Sequence, residues 1–203
     1  IKDLSYKKIQ VIITTHSSHI SSEIDFDKIR YASRKNNFVI YKNLDNFVKS
    51  DSENLDFIKK YLTLTKCDMF FADKIILVEG SSEKLLIPDM IEKCENKKLF
   101  KNSKIPLIYQ YYTILEVGGA YAHKFFKFVD FLEIPTLIIT DIDSVIGIDT
   151  NNGRKYIKSL VSKGETTSNA TIKSWIKEQN IIPEEELISI DKLLKLPDEN
   201  KTK

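Results

Sequence analysis

The fold is decided by residues 74–84, which read Lys-Ile-Ile-Leu-Val-Glu-Gly-Ser-Ser-Glu-Lys. The aliphatic run predicts a buried strand, Gly80 permits a tight exit from it, and one of the two serines can cap a helix that begins at Glu83. Glu79 ends the strand and Glu83 lies in the first helical turn, at the edge where open α/β sheets bind ligands. This pair suits a divalent cation. The alternative is a solvated strand end, with Glu83 only complementing the helix dipole.

A second acidic turn follows another apolar run. Residues 136–140, Thr-Leu-Ile-Ile-Thr, predict a buried strand that leads into Asp141 and Asp143. Carboxylates two residues apart on an extended segment point to the same side. Hard oxygen ligands from two strand ends are the usual way to hold Mg²⁺ or Mn²⁺. Glu79, Glu83, Asp141 and Asp143 are therefore predicted metal ligands, and the alternative is a solvent-facing loop whose acids never meet.

A third strand is predicted between these two. Residues 112–119 form an apolar run that ends in Gly118 and Gly119, and residues 121–132 have a helical pattern. Strands that alternate with helices in this order predict parallel pairing with right-handed crossovers, and hence an α/β fold. The two glycines, like Gly80, would let the backbone approach a metal or substrate closely; a tight strand-to-helix turn is the alternative.

The order of these motifs resembles the Toprim domain that topoisomerases, primases and a group of nucleases share. More narrowly, the segments FADKIILVEGSSEKLLIP, ILEVGGAYAHKF and IPTLIITDIDS are similar to the overcoming lysogenization defect (OLD) family of nucleases, which includes the large subunit of Gabija-type antiphage systems. The resemblance covers roughly residues 1 to 180. It implies a Toprim-type parallel sheet flanked by helices and preceded by the C-terminal strands of an ABC-type ATPase domain.

The resemblance also implies a chemistry. It indicates a metal-dependent DNA endonuclease of an ATP-regulated antiphage defence protein, with two Mg²⁺ or Mn²⁺ ions held by the four acids and Glu79 as the general base. Lys173, with Lys163 as its rival, would offset the charge of the transition state. DNA is the implied substrate and a homo-oligomer the implied assembly. A helicase-like partner subunit is implied if the chain is a Gabija-type member.

The N-terminal region resembles the end of an ATPase domain. Residues 9–15 predict an apolar strand, and His16 occupies the position of the switch histidine that senses the terminal phosphate of ATP in ABC-type ATPases; a turn-capping histidine is the alternative. The sequence contains no G-x-x-x-x-G-K-[ST] loop, so ATP is expected to be bound by upstream parts outside this chain, which alone is not expected to hydrolyse it. The predicted domains are the end of the ATPase domain (1–50), a linking helix (51–72) and the Toprim nuclease domain (73–203).

Further elements are predicted outside these motifs. Residues 28–33 and 38–41 flank a turn and predict a hairpin. Residues 149–154 predict a polar loop and residues 155–161 a short helix. A longer helix is predicted over residues 170–179, after the capping residues Thr-Ser-Asn.

Composition narrows the class of protein. With 31 basic and 29 acidic residues the net charge is +2, so overall charge does not by itself indicate nucleic-acid binding. Cys67 and Cys94 lie far apart, which excludes a zinc ribbon within the chain and suits a reducing compartment. The sequence lacks a membrane span and a signal-peptide pattern, so a cytoplasmic protein is expected. The alternatives to a nuclease are a non-catalytic ATPase-linked interaction module and the Toprim domain of a topoisomerase- or primase-like enzyme.

Overall fold

The structure is a computed structural model that describes residues 10–50, 54–64, 67–99, 105–118, 121–151, 153–183 and 188–201. The chain divides into two compact units, Ile1–Ala72 and Asp73–Lys203. No helix in the described part of the chain combines the length and the hydropathy that a membrane crossing requires.

The first unit is built around a β-hairpin and short helices. Its helices are α1 (Ser18–Ser22), α2 (Leu44–Ser50) and α3 (Leu55–Leu64), its strands are β1 (Arg30–Lys35) and β2 (Phe38–Asn43), and its 3₁₀ turns are Phe26–Lys28 and Asp68–Phe70. The strands β1 and β2 pair antiparallel, from Arg30 opposite Asn43 to Lys35 opposite Phe38. Asn36 in the connecting turn has φ 55°, a left-handed conformation that asparagine tolerates. The predicted hairpin is confirmed.

The predicted strand over residues 9–15 is wrong for the residues that the structure describes. Residues 10–17 have no regular secondary structure, and residue 9 lies outside the described part. The side chains of Val11, Ile12 and Ile13 are exposed. A strand exists through hydrogen bonds to a neighbouring strand, and no described strand pairs with this segment. The apolar, β-branched composition is therefore not sufficient to form a strand here.

In its described residues, the second unit contains two sheets. Its strands are β3 (Lys74–Val78), β4 (Tyr112–Glu116), β5 (Thr136–Ile139), β6 (Ser144–Thr150), β7 (Gly153–Lys158) and β8 (Thr166–Thr167). Its helices are α4 (Ser81–Asn96), α5 (Phe126–Leu132), α6 (Ala170–Glu178) and α7 (Ile190–Lys195). The described residues of this unit also form 3₁₀ turns at Leu107–Tyr109, Ala122–Phe125, Val161–Lys163 and Asp198–Lys201.

The first of these sheets is parallel, with β3 between β4 and β5. This arrangement confirms the predicted α/β fold with a parallel sheet flanked by helices. The central strand is buried because both of its neighbours and the helices cover it; Leu77 and Val78 have no exposed surface. Burying an aliphatic side chain of this size stabilises a fold by about 1.5–3 kcal/mol.

The helix α4 packs on this sheet through one apolar face. Four buried side chains form the cluster, two from β3 and two from α4: Ile76, Val78, Ile87 and Ile91. Three partly buried side chains, two from β4 and one from the 3₁₀ turn Leu107–Tyr109, pack against it: Tyr112, Ile114 and Leu107. The packing fixes the start of α4 immediately after the end of β3, which is the edge that carries the predicted acids.

The second sheet corrects one prediction. Residues 155–161 were expected to form a helix after a polar loop, but β6 and β7 form an antiparallel hairpin, with Thr150 opposite Gly153 and Val145 opposite Lys158. The two strand segments are rich in β-branched and aromatic residues, which favour strands, and an Asn-Asn pair (residues 151 and 152) stands in the sequence between the paired Thr150 and Gly153. Strand β8 pairs with the start of β6 and leads into α6. The helix predicted over residues 170–179 is confirmed, since α6 covers Ala170–Glu178.

Candidate active site

Two strand ends meet at the carboxyl edge of the parallel sheet. Val78 of β3 lies opposite Ile139 of β5, so the residues that follow the two strands are neighbours. Glu79 Oε1 accepts hydrogen bonds from Thr140 Oγ1 and, at 3.2 Å, from the backbone amide of Asp141. Glu79 is partly buried and Asp141 is exposed. The structure thus brings together two of the four predicted acids, one from each acidic turn.

Asp143 joins this group in a conformation that the sequence did not indicate. The side chains of Asp141 and Asp143 were expected to share one side of an extended segment, but Asp143 has φ 48°, in the left-handed region. Aspartate tolerates this conformation because its short side chain bonds locally. The chain turns at Asp143 into β6, and its carbonyl accepts hydrogen bonds from the amide and hydroxyl of Ser168.

Asn169 connects the acidic turns, and the sequence analysis named it only as a capping residue. Its Nδ2 lies within hydrogen-bonding distance of four oxygens: Glu79 Oε1 at 3.0 Å, Thr140 Oγ1 at 2.8 Å, the carbonyl of Asp141 at 2.9 Å and Asp143 Oδ2 at 3.2 Å. The Asn169 side chain has no exposed surface. The Thr-Ser-Asn sequence before α6 was the available signal, but the partners lie up to 90 positions away in the chain.

Glu83 lies at the same edge and has a structural contact of its own. Its Oε2 accepts a hydrogen bond from the Gly80 amide at 3.1 Å, which closes the first turn of α4. The N-cap is therefore Gly80 and not one of the serines that follow it. Gly80 has φ −142°, an extended conformation open to any residue, so the exit from the strand does not itself require glycine; close approach of a metal or substrate to its backbone stays a prediction.

The end of β4 adds a fifth acid that the sequence analysis missed. Glu116 lies opposite Val78 in the parallel register, and its Oε2 accepts a hydrogen bond from Ser81 Oγ at 2.9 Å. Gly118 has φ 58°, which favours glycine and agrees with the tight-turn alternative; close approach of its backbone to a metal or substrate stays a prediction. The prediction for Gly119 falls outside the described residues.

The predicted basic residues are exposed. Lys173 lies on α6, four residues after Asn169, so the two lie on the same face of the helix, and helical side chains lean toward the N-terminus, where the acids are. Lys163 ends the 3₁₀ turn Val161–Lys163. Neither lysine forms an ion pair with the described residues. His16 is exposed and belongs to the first unit, whereas the acids belong to the second.

The chemistry of this edge suits a hard cation. Carboxylate, hydroxyl and carbonyl oxygens from two chain segments converge around Asn169 Nδ2, and Mg²⁺ and Mn²⁺ prefer oxygen ligands of these kinds. Among the described residues, no group of three or more His, Cys, Asp or Glu side chains lies close enough to hold a metal ion. The oxygens at this edge are of the chemical type that Mg²⁺ and Mn²⁺ bind. In this structure the carboxylates of Glu79 and Asp143 are connected through hydrogen bonds to the Asn169 side-chain amide.

Comparison with known proteins identifies the fold family. The family model for the Toprim domain of overcoming lysogenization defect protein-like sequences matches residues 70–143. The endonuclease GajA of Bacillus cereus strain HuB5-5 is 34% identical over 189 residues, which cover 86% of this chain and 26% of that protein. The endonuclease GajA of strain VD045 is 24% identical over 149 residues, covering 73% and 23% respectively. No solved structure matches the chain.

The chain spans about a quarter of the length of these two relatives. The family match over residues 70–143 includes all four predicted acids, and the similarity to the first relative extends over most of the chain. The parallel sheet and the acids at its carboxyl edge are consistent with the family that these matches indicate. The chain therefore contains a Toprim domain of the overcoming lysogenization defect (OLD) family.

Proposed function

We propose that this chain carries the catalytic site of a Mg²⁺- or Mn²⁺-dependent DNA endonuclease. One observation supports the proposal above all: Glu79, Thr140, Asp141 and Asp143 converge from two parallel strand ends on the same buried amide. Ligand sites of open α/β sheets form at such carboxyl edges. The similarity to two proteins named endonuclease GajA favours phosphodiester hydrolysis over a non-catalytic interaction module.

The side chains can be given roles from their contacts. Glu79 Oε1 is held by three donors, whereas Oε2 accepts no hydrogen bond from the described residues. Oε2 is thus the atom left to take a proton from an attacking water, and the donors on Oε1 hold the carboxylate plane still while it does so. The carboxylate of Asp141 accepts no hydrogen bond from the described residues and faces solvent, so a ligand can reach it.

Four acids would hold the cations in this proposal: Glu79, Glu83, Asp141 and Asp143. Bound there, two such ions would supply charge neutralisation for the phosphodiester and its departing oxygen. Lys173, on the same face of α6 as Asn169, would add a positive charge beside the scissile phosphate. Phosphate contacts by a lysine fix the position of DNA without reading its sequence.

The wider biology follows from the family resemblance and stays a prediction. An antiphage role, regulation by ATP bound in upstream parts of the protein, a homo-oligomer, a helicase-like partner subunit and a cytoplasmic location belong to this group. His16 as an ATP-sensing residue belongs there as well, since no contact of the described residues tests it.

Nicking of supercoiled plasmid DNA by the intact protein tests the proposal. We expect cleavage with Mg²⁺ or Mn²⁺ and none with EDTA. Glu79→Gln should reduce the rate by about 10²-fold or more, because it removes the proton acceptor and one charge while keeping the shape of the side chain. Glu92→Gln, at an exposed position on α4, is the matched control and should cleave normally. Equal rates for the two variants would contradict the proposal.

A further inference from the structure

Both polar atoms of the Asn169 side chain form hydrogen bonds. Its Oδ1 accepts a hydrogen bond from the Ile172 amide at 3.1 Å and so caps α6. Its Nδ2 faces the four oxygens at the sheet edge, at 2.8–3.2 Å. A primary amide has only two hydrogens, so the four acceptors share them. The group is buried, so water does not substitute for these contacts.

Helix capping does not account for the choice of asparagine. Serine and aspartate cap helices about as well, because the cap needs only a side-chain oxygen. What asparagine adds is a donor on the opposite side of the same planar group. Aspartate has almost the same shape, but it would place a negative oxygen against the carboxylates of Glu79 and Asp143. The amide is thus the side chain that can cap α6 and bind both acids at once.

Asn169 also sets the position of α6 relative to the acids. The segment before it runs along the Asp143 turn: Thr167 Oγ1 donates to the Ile142 carbonyl, and Ser168 donates to the Asp143 carbonyl from both its amide and its hydroxyl. Asn169 completes this contact by reaching across to Glu79 at the end of β3. One side chain therefore joins three segments, and Lys173 lies one helical turn beyond it.

We infer that Asn169 is a positioning residue for the reaction, which holds Glu79 and Asp143 at a fixed separation and fixes α6, with Lys173, against them. The inference rests on the proposed function. It concerns the turnover step, because Asn169 is buried and acts through the acids, and DNA has no access to it.

Three substitutions and one control separate positioning from capping. Asn169→Ser and Asn169→Asp both keep an oxygen for the cap and lose the amide donor, whereas Asn169→Ala loses both. Ser189→Ala removes a comparable cap from α7, where Ser189 Oγ accepts from the Lys192 amide at 3.3 Å, and it leaves the acidic edge unchanged. Melting temperatures would verify that each variant folds.

We expect kcat for plasmid nicking to fall 10- to 100-fold in Asn169→Ser and in Asn169→Asp, as for other residues that orient the groups of a metal site, with KM for DNA nearly unchanged. Ser189→Ala should lower the melting temperature and keep kcat. Wild-type kcat in Asn169→Ser would overturn the inference while leaving the proposed function intact. A wild-type protein that cleaves no DNA with either cation would overturn the proposed function and the inference together.

Discussion

Glu83 caps the start of α4 and is also a proposed metal ligand, and a pair of substitutions separates these two roles. Its Oε2 accepts the Gly80 amide at 3.1 Å at the start of α4, and the proposed site needs its charge. Glutamine can still accept the Gly80 hydrogen bond through its carbonyl oxygen but carries no charge. Alanine loses the bond and the charge. We therefore predict that Glu83→Gln and Glu83→Ala differ in stability and agree in activity.

The magnitudes follow from the contacts at the helix start. Losing a side-chain hydrogen bond at a helix N-terminus costs about 1 kcal/mol. Removing a negative charge from the first turn costs about 0.5 kcal/mol through the helix dipole. Glu83→Ala should thus lose about 1.5 kcal/mol and Glu83→Gln about 0.5 kcal/mol. For a domain of this size the corresponding falls in melting temperature are about 5 °C and about 2 °C.

Urea denaturation followed by circular dichroism measures the two stabilities, and plasmid nicking on the same preparations measures activity. Glu92→Gln, on the same helix and exposed, controls for loss of a carboxylate charge. Equal unfolding free energies for the two Glu83 variants would refute the capping contribution. Wild-type nicking by both variants would refute the assignment of Glu83 as a ligand, and the residue would then only cap α4.

Three further predictions concern metal binding, pH and the core. Mn²⁺ should raise the melting temperature of the wild-type protein by an amount that grows with the Mn²⁺ concentration, and Asp141→Asn should remove most of this rise. Equal rises in the two proteins would mean that the cation binds elsewhere. Burial, with a smaller contribution from Asp68, raises the pKa of Cys67 from 9.0 to about 11. Because the folded protein keeps a proton that the unfolded chain loses, stability should fall by about 2 kcal/mol as the pH rises from 9 to 11. In Cys67→Ser, the free energy of unfolding, measured by urea denaturation between pH 9 and 11, should fall less than in the wild-type protein. An equal fall in both proteins would refute the assignment of this pH dependence to Cys67. Leu77→Ala, at a position with no exposed surface, should cost about 2–5 kcal/mol in the same urea assay; a cost below about 1 kcal/mol would contradict its place in the core.

The parallel sheet could be predicted because its three strands are local patterns. Each is a short aliphatic run that ends in an acid or a glycine, and helical segments separate them. The order of such runs restricts the pairing to parallel, since right-handed crossovers are strongly favoured. The positions of Glu79 and Asp141 at one edge follow from this topology alone.

The contacts of Asn169 could not be predicted in the same way. Its partners come from segments 26 to 90 positions away, and a capping motif is satisfied by the Ile172 amide within its own helix. The spacing of residues in a sequence predicts contacts within one helix or strand. It does not predict which side chains from distant segments will contact that element. The left-handed turn at Asp143 was missed for a related reason, because it depends on the contacts with Ser168.

The apolar segment before α1 shows the opposite error. Its composition is that of a strand, but a strand requires a partner, and none of the described strands provides one. The hairpin of β6 and β7 was missed because the polar residues 149–154 were read as a loop, although asparagines, which are common in hairpin turns, stand between its paired ends.

Locating the cation in the crystal tests directly whether the acidic edge of the parallel sheet is the metal site. Crystals of the intact protein grown with Mn²⁺, measured at a wavelength where manganese scatters anomalously, would show where the ion binds. We expect an anomalous peak at coordination distance from the carboxylates of Glu79 and Asp141, absent in Asp141→Asn crystals. Strong peaks only at other positions, with this edge free of manganese in a protein that still cleaves DNA, would contradict this expectation.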